Sequence, residues 1–205
     1  GAEFLPANKF TLPIKMITSS IPVAIQYDPG VSAQLKSAAM LAGTNAYGIS
    51  TIYDQNFSRN HTENILDKVK AIKILKQNKH NTIKVFGKKT FRAQKFEVPV
   101  DPSSAAFFVV LTILAQNSKL SINHVCLNER RIGYLKILKK AGAKIKLTKL
   151  KKVNNETIGT IDVSSSKLKP LKVNKKFYSM TADEYPILFV AAALTNGLSS
   201  FDGIE

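Results

Sequence analysis

Cysteine is nearly absent from this chain. Its 205 residues include one, Cys126, which excludes an internal disulfide framework and fits a reducing compartment. It lies in the strand-like run Ile122-Asn123-His124-Val125-Cys126-Leu127, where a small buried hydrophobe is expected rather than a nucleophile. Histidine is scarce as well: His61, His80 and His124 stand far apart without ligand spacing, so no metal site is expected. No apolar run approaches the length of a membrane span, and no secretory leader pattern is visible at the N-terminus. Acidic residues are few, 14 against 30 Lys and Arg, which leaves a net charge of +16. Such an excess suits nucleic acid or an anionic substrate. The lysines, however, are spread along helix faces and turns, with no aromatic interleaving and no helix-turn-helix or RNA-binding signature. A solvated basic surface is the better reading, and no nucleic-acid partner is expected.

What is present is an ordinary globular composition, 44% apolar and 21% charged, and enough chain for one sizeable core or two small domains. The stretch Tyr27-Asp28-Pro29-Gly30-Val31-Ser32-Ala33-Gln34-Leu35-Lys36 follows an extended run, Pro22 to Gln26, and leads into a small-residue helix over about 32–46. Asp-Pro-Gly is turn chemistry, and Pro29 biases Asp28 away from helical dihedrals. Ser32 is then placed as an N-cap. A helix start that follows a strand and a glycine turn exposes unpaired N–H groups, a natural place for an anion, although a plain cap is the commoner meaning of this pattern.

The order of elements then repeats. The first copy continues with a strand over 49–53, a second helix for which Ser58, Asn60 and Thr62 are all possible caps, and a hairpin over 71–75 and 82–86. From Phe96-Glu97-Val98-Pro99-Val100 a second strand opens, and Asp101-Pro102-Ser103-Ser104 repeats the turn and cap. A helix over 105–115 is apolar on every side, which predicts burial all round. A strand over 120–127, a helix over 132–141 and strands over 143–150 and 157–163 complete that copy, and Leu171 to Val173 adds a further strand candidate. A third copy is expected to begin at Met180, just before Asp183-Glu184-Tyr185-Pro186. A βαβαββ unit repeating every roughly 70 to 80 residues predicts an α/β fold with mixed parallel and antiparallel sheets.

Several runs in this order carry a resemblance. They are Ser32-Ala33-Gln34-Leu35-Lys36-Ser37-Ala38, Ser58-Arg59-Asn60-His61-Thr62-Glu63, Asp101 to Phe107, Asn128-Glu129-Arg130-Arg131-Ile132-Gly133 with Ala141-Gly142-Ala143 behind it, and Asp183-Glu184-Tyr185-Pro186. Together, from about Leu12 onward, the chain resembles 5-enolpyruvylshikimate-3-phosphate synthases of the bacterial type that carries a Ser-Ala-Gln motif. The resemblance implies a cytoplasmic bacterial transferase of the shikimate pathway, serving aromatic amino acid biosynthesis. It moves the enolpyruvyl group of phosphoenolpyruvate to the 5-hydroxyl of shikimate 3-phosphate with release of phosphate, without a cofactor, and is a monomer at full length. It implies two domains of three βαβαββ units each around a cleft, with 1–98 in the first domain and 99–205 in the second. By the same likeness Ser32 and the Ala33 backbone hold the substrate phosphate, Gln34 bonds the ring and reaches phosphoenolpyruvate, and Arg59 contacts the shikimate ligand. Asp183 takes the proton of the attacking hydroxyl or holds that hydroxyl in place; read without the likeness, it is a cap and dipole partner of the helix that follows. Lys36 either neutralises charge nearby or faces solvent.

The chain departs from the family pattern at two places. Arg59-Asn60-His61 stands where Arg-Asp-His is common, and Asn128-Glu129-Arg130-Arg131-Ile132-Gly133 where Asn-Pro-Thr-Arg-Thr-Gly is, so Arg131 receives no ligand role. The family's earlier Lys-Ser, Arg and Gly-Asn-Ala-Gly-Thr contacts would lie before residue 1, and its Arg-Val-Lys-Glu-Ser segment after Glu205. The isolated chain is therefore expected to be inactive. A UDP-sugar enolpyruvyl transferase, which uses a loop cysteine, fits less well because Cys126 lies in a strand. The remaining alternatives are a nucleic-acid-binding or RNA-processing module of related repeat fold, and a non-catalytic remnant.

Overall fold

Pairing and burial separate this chain into two compact units, Gly1–Asn56 with Leu66–Ala93, and Phe57–Ile65 with Gln94–Glu205. The computed structural model describes residues 3–6, 11–78 and 80–204. In the first unit a short antiparallel pair, β1 (Glu3–Leu5) and β2 (Lys15–Ile17), precedes the repeat. Then β3 (Gln26–Tyr27) crosses over through α1 (Ala33–Asn45) to a parallel neighbour, β4 (Ile49–Asp54). Helix α2 (His61–Lys68) begins in the second unit and ends in the first, where it feeds the hairpin β5 (Ile72–Lys76) and β6 (Asn81–Phe86). Because β6 also pairs antiparallel with β4, the sheet runs β3-β4-β6-β5. Alternation along β4 turns Ser50, Ile52 and Asp54 inward, and Ile52 joins Met40, Ile83 and Val85 in the core.

The second unit repeats this topology with a weaker first strand. The strand expected over 96–100 shrinks to a bridge at Val100, whose N–H donates to His124 and whose carbonyl accepts from Cys126. Pro99 has no N–H to pair, which explains why the ladder starts only after it. From there α3 (Pro102–Leu114), β7 (Lys119–Cys126), α4 (Gly133–Lys140), β8 (Lys144–Val153) and β9 (Glu156–Ser164) follow, and the sheet order is β7-β9-β8. Counting strands from the start of each copy, both units have the order first, second, fourth, third. The third copy opens at β10 (Lys172–Val173), not at Met180. After two 3-10 turns and α5 (Tyr178–Thr181), the crossover helix α6 (Tyr185–Ala193) returns the chain to β11 (Ser200–Phe201), parallel to β10. Val109, Tyr134, Leu138, Ile161, Leu171 and Leu188 form the centre of this unit's core.

One expectation about burial fails and one open alternative is decided. Helix α3 is not buried on every side: Val109, Val110 and Ile113 face the core, while Phe107, Phe108 and Leu111 are more than half exposed. An apolar sequence makes every face able to pack, but it does not supply a neighbour for every face. Lys36, in contrast, does not face solvent. It is fully buried, with Nζ 3.3 Å from Oδ2 of the equally buried Asp54. Removing one member of such a pair strands the other charge away from water. Asp54→Ala is therefore expected to lower stability by about 3–5 kcal/mol, whereas Lys36→Met/Asp54→Leu recovers most of that loss. Guanidinium unfolding midpoints check this, and equal losses in both variants would show that the burial of Lys36 does not depend on Asp54.

Candidate functional site

The turn before α1 is built around Asp28. Gly30, at φ +59, donates its N–H to Asp28 Oδ1 at 2.9 Å, and Gln55 Nε2 donates to Oδ2 at 2.6 Å. A left-handed dihedral of this kind is open to glycine without strain. Ser32 is the expected N-cap: its Oγ accepts from the Leu35 N–H at 3.2 Å. A hydroxyl that accepts in this way still has a proton to donate. The amides of Ala33 and Gln34 precede the helical ladder, and no acidic residue occupies the first turn. Ser32 and Ala33 are half-buried and Gln34 is exposed. This helix start offers several donors to an anion and no opposing charge of its own.

Arg59 and Asp183 both belong to the second unit, and the fold joins them across 124 positions of sequence: Arg59 Nη2 donates to Asp183 Oδ2 at 2.7 Å. Arg59 is mostly buried, while the Asp183 side chain is half exposed. Asp183 does not cap α6. It sits within a 3-10 turn, Ala182–Glu184, and the N-cap position of α6 is Glu184, which makes no side-chain cap bond. A run of connected groups supports that turn from below. Asp101 caps α3 through the Ser104 N–H at 2.8 Å, and Arg131 Nη2 donates to Asp101 Oδ1 at 2.8 Å and to Ser103 Oγ at 2.7 Å. Ser103 in turn donates its hydroxyl proton to Glu184 Oε1. Arg131 thus has structural work that the sequence did not reveal. Gly133 is needed beside it, since a Cβ there would fall 2.1 Å from Thr181 Oγ1.

These contacts set the charges. Burial opposes ionisation of Asp101, but the hydrogen bonds from Ser104 and the Arg131 charge together outweigh it and hold the carboxyl below its ordinary range. Glu184 goes the other way. It is 1% exposed, its Oε2 is buried without a hydrogen-bond partner among the described residues, and burial pushes its pKa up despite Ser103 and Arg131.

A second cluster lies at the start of α2. Glu156 Oε1 accepts from Asn64 Nδ2 at 2.8 Å and lies 2.7 Å from His61 Nδ1, while Oε2 accepts from Asn128 Nδ2 at 2.9 Å. The Cys126 thiol points at Oε2 from 3.9 Å. Burial disfavours the Glu156 charge, yet the bonds from His61, Asn64 and Asn128 more than compensate and hold its pKa down. Cys126 is buried, as its sequence context suggested, and its thiol pKa is pushed up by that burial. Spacing in sequence spoke against a metal site, but His61, Cys126 and Glu156 each offer a donor atom within 4.8 Å of the others. They come from three elements, so no local motif announced them. Asn60, one of the possible caps, uses its Oδ1 to accept from Asn128 Nδ2 at 2.9 Å.

A model of the EPSP synthase (3-phosphoshikimate 1-carboxyvinyltransferase) family matches residues 1–205. The 3-phosphoshikimate 1-carboxyvinyltransferase of Hydrogenovibrio crunogenus is 38% identical over 210 residues, covering 100% of this chain and 47% of that protein. Its Bartonella tribocorum counterpart is 33% identical over 208 residues, with the same shares covered. EPSP synthase from Acinetobacter baumannii superposes with a TM-score of 0.82 at 30% identity, over 98% of this chain and 45% of that one. The enolpyruvyl transferase NikO from Streptomyces tendae, at 13% identity and a TM-score of 0.67 over 96% of this chain and 47% of its own, shares the fold. The chain spans about half the length of the curated relatives it matches.

The raised Glu184 pKa has a consequence for stability. The native state holds that proton more tightly than the unfolded chain does, so stability is lost as pH rises from the ordinary glutamate value through the higher folded one. Glu184→Gln, which can still accept from Ser103, is expected to be more stable than the parent at pH 7, with the gain vanishing near pH 4, roughly where free glutamate titrates. Denaturant midpoints at the two pH values test this. A variant less stable at pH 7 would show that attraction to Arg131 outweighs burial.

Proposed function

This chain belongs to the EPSP synthase family, and we propose that it is part of an enzyme that moves the enolpyruvyl group of phosphoenolpyruvate to the 5-hydroxyl of shikimate 3-phosphate and releases phosphate. Such an enzyme serves the shikimate pathway and aromatic amino acid biosynthesis. By this proposal residues 1–98 are a portion of the family's first domain and 99–205 of its second; the compact units divide the chain slightly earlier, at 93/94, and Phe57–Ile65 packs in the second unit. Among the described residues no helix is long and apolar enough to cross a membrane. A cytoplasmic monomer at full length, with no nucleic-acid partner, is the reading that accords with the family and with the scattered lysines.

The Arg59–Asp183 pair carries the reading. Asp183, by this proposal, accepts the proton of the attacking 5-hydroxyl, a role that needs a reachable carboxylate of fixed direction. Half exposure supplies the reach, and the 2.7 Å bond from Arg59 supplies the direction. Arg59 also offers further guanidinium donors to an anionic ligand, since one bond to Asp183 uses only part of its fork. Ser32 Oγ–H and the Ala33 amide take the phosphate at the head of α1, and Gln34, exposed beside them, reaches the ring and phosphoenolpyruvate.

In an enzyme of full family length carrying these residues, Asp183→Asn is expected to lower kcat by roughly 10²–10⁴-fold, the usual contribution of a positioned base. Arg59→Ala is expected chiefly to raise KM for shikimate 3-phosphate. Phosphate-release kinetics give both numbers, and an Asp183→Asn enzyme within a few-fold of the parent kcat would remove Asp183 from the chemistry. The 205-residue chain alone is expected to give no enolpyruvyl transfer in the same assay.

A further inference from the structure

The cluster at the start of α2 has no part in the proposed transfer reaction. Its imidazole, thiol and carboxylate come from α2, β7 and β9 and belong to one compact unit. We propose that His61, Cys126 and Glu156 bind a single divalent cation of the zinc class, with a water molecule completing a four-coordinate site.

The donor set argues for that class. A thiolate with an imidazole favours zinc and its chemical neighbours over magnesium or calcium, which prefer oxygen alone. An ion bound at about 2.0–2.3 Å from each of three tetrahedral donors sets them roughly 3.3–3.8 Å apart. The three donors already lie within 4.8 Å of one another, so modest side-chain movement closes the site. In that movement His61 Nδ1 exchanges its 2.7 Å contact with Glu156 Oε1 for the ion. The carboxylate is aimed beforehand: Asn64 and Asn128 hold its two oxygens, the kind of outer support that orients metal ligands. A cavity of about 300 Å³, lined by all three donors together with Pro99 and Val153, leaves room for entry and for the water ligand. Binding displaces the Cys126 thiol proton to solvent, so that one proton leaves for each ion bound as a thiolate complex. The ion would clasp the start of α2 to the β7-β9 ladder.

The test uses the 205-residue chain and cobalt(II) as a spectroscopic stand-in for zinc. One equivalent is expected to produce a thiolate-to-cobalt charge-transfer band in the near ultraviolet and tetrahedral d–d bands in the visible, and one equivalent of zinc is expected to bleach both. Cys126→Ala is expected to abolish the charge-transfer band, and Glu156→Gln and His61→Ala to weaken zinc binding measured against a chromophoric chelator. Asn128→Ala, which supports Glu156 without touching the ion, is expected to lose about 10–100-fold in affinity. His80→Ala serves as the control and is expected to bind as the parent does. Absence of the charge-transfer band in the unaltered chain overturns the proposal, and that reading depends on no variant remaining folded. Zinc affinity unchanged in both Glu156→Gln and His61→Ala overturns it as well. None of these readouts involves shikimate 3-phosphate, so the site stands or falls independently of the transferase reading.

Discussion

Glu156 is the carboxylate on which the second unit's organisation rests. It sits at the first residue of β9, mostly withdrawn from water, and a carboxylate in that position must be satisfied or it destabilises the fold. Asn64 and Asn128 satisfy it, and His61 lies against it. The result is that Phe57–Ile65 packs with the second unit although the chain on either side of that segment belongs to the first. Further bonds reinforce the excursion, from Asn128 to Asn60 and from Arg130 Nη1 to the Ser58 carbonyl at 2.5 Å. Arg59 lies within this tethered segment, which is how it comes to meet Asp183. A pairing between two motif residues thus depends on an acid that no motif contains.

The three crossover helices share a topology and differ in the chemistry of their first turns. Asp101 brings its own negative charge to the head of α3, and Arg131 answers it. Asp183 and Glu184 precede α6, one turned outward toward Arg59 and the other buried against Ser103. The head of α1 has a neutral serine cap and no acid in its first turn. No acid in the first turn of α1 itself opposes a negatively charged ligand at Ser32, and the Asp28 carboxylate in the preceding turn is engaged by the Gly30 N–H and Gln55. Lys36 and Asp54 add a buried, mutually compensated pair on the inner side of the same helix.

Local rules carried much of this in the sequence. Ser32 caps the helix it was expected to cap, and both units follow the βαβαββ order, because turn chemistry and periodicity act over a few residues; in the second copy the helix begins at Pro102, three residues before its expected start, with Asp101 as its cap. What escaped depends on partners distant in sequence. The third copy starts at Lys172, not Met180, because a two-residue strand earns its identity only by pairing with Ser200–Phe201. Phe96 to Pro99 has strand composition but no ladder. Glu184 is a buried hydrogen-bond acceptor because its environment comes from α3, which no local pattern around it announces. The His61, Cys126 and Glu156 cluster has ligand chemistry with no ligand spacing, which only the fold could assemble.

The outward faces of α3 and α6 present Phe107, Phe108 and Leu111, and Phe189, Val190 and Leu194, to water. A molecule with such greasy patches ordinarily clumps. Here the charge of +16 works against that, because like-charged copies push one another away before the patches touch. That protection has a range of about 10 Å in 0.1 M salt and only about 3 Å in 1 M salt. The colloidal behaviour of this chain is thus a contest between surface grease and long-range repulsion, and ionic strength decides which of them prevails.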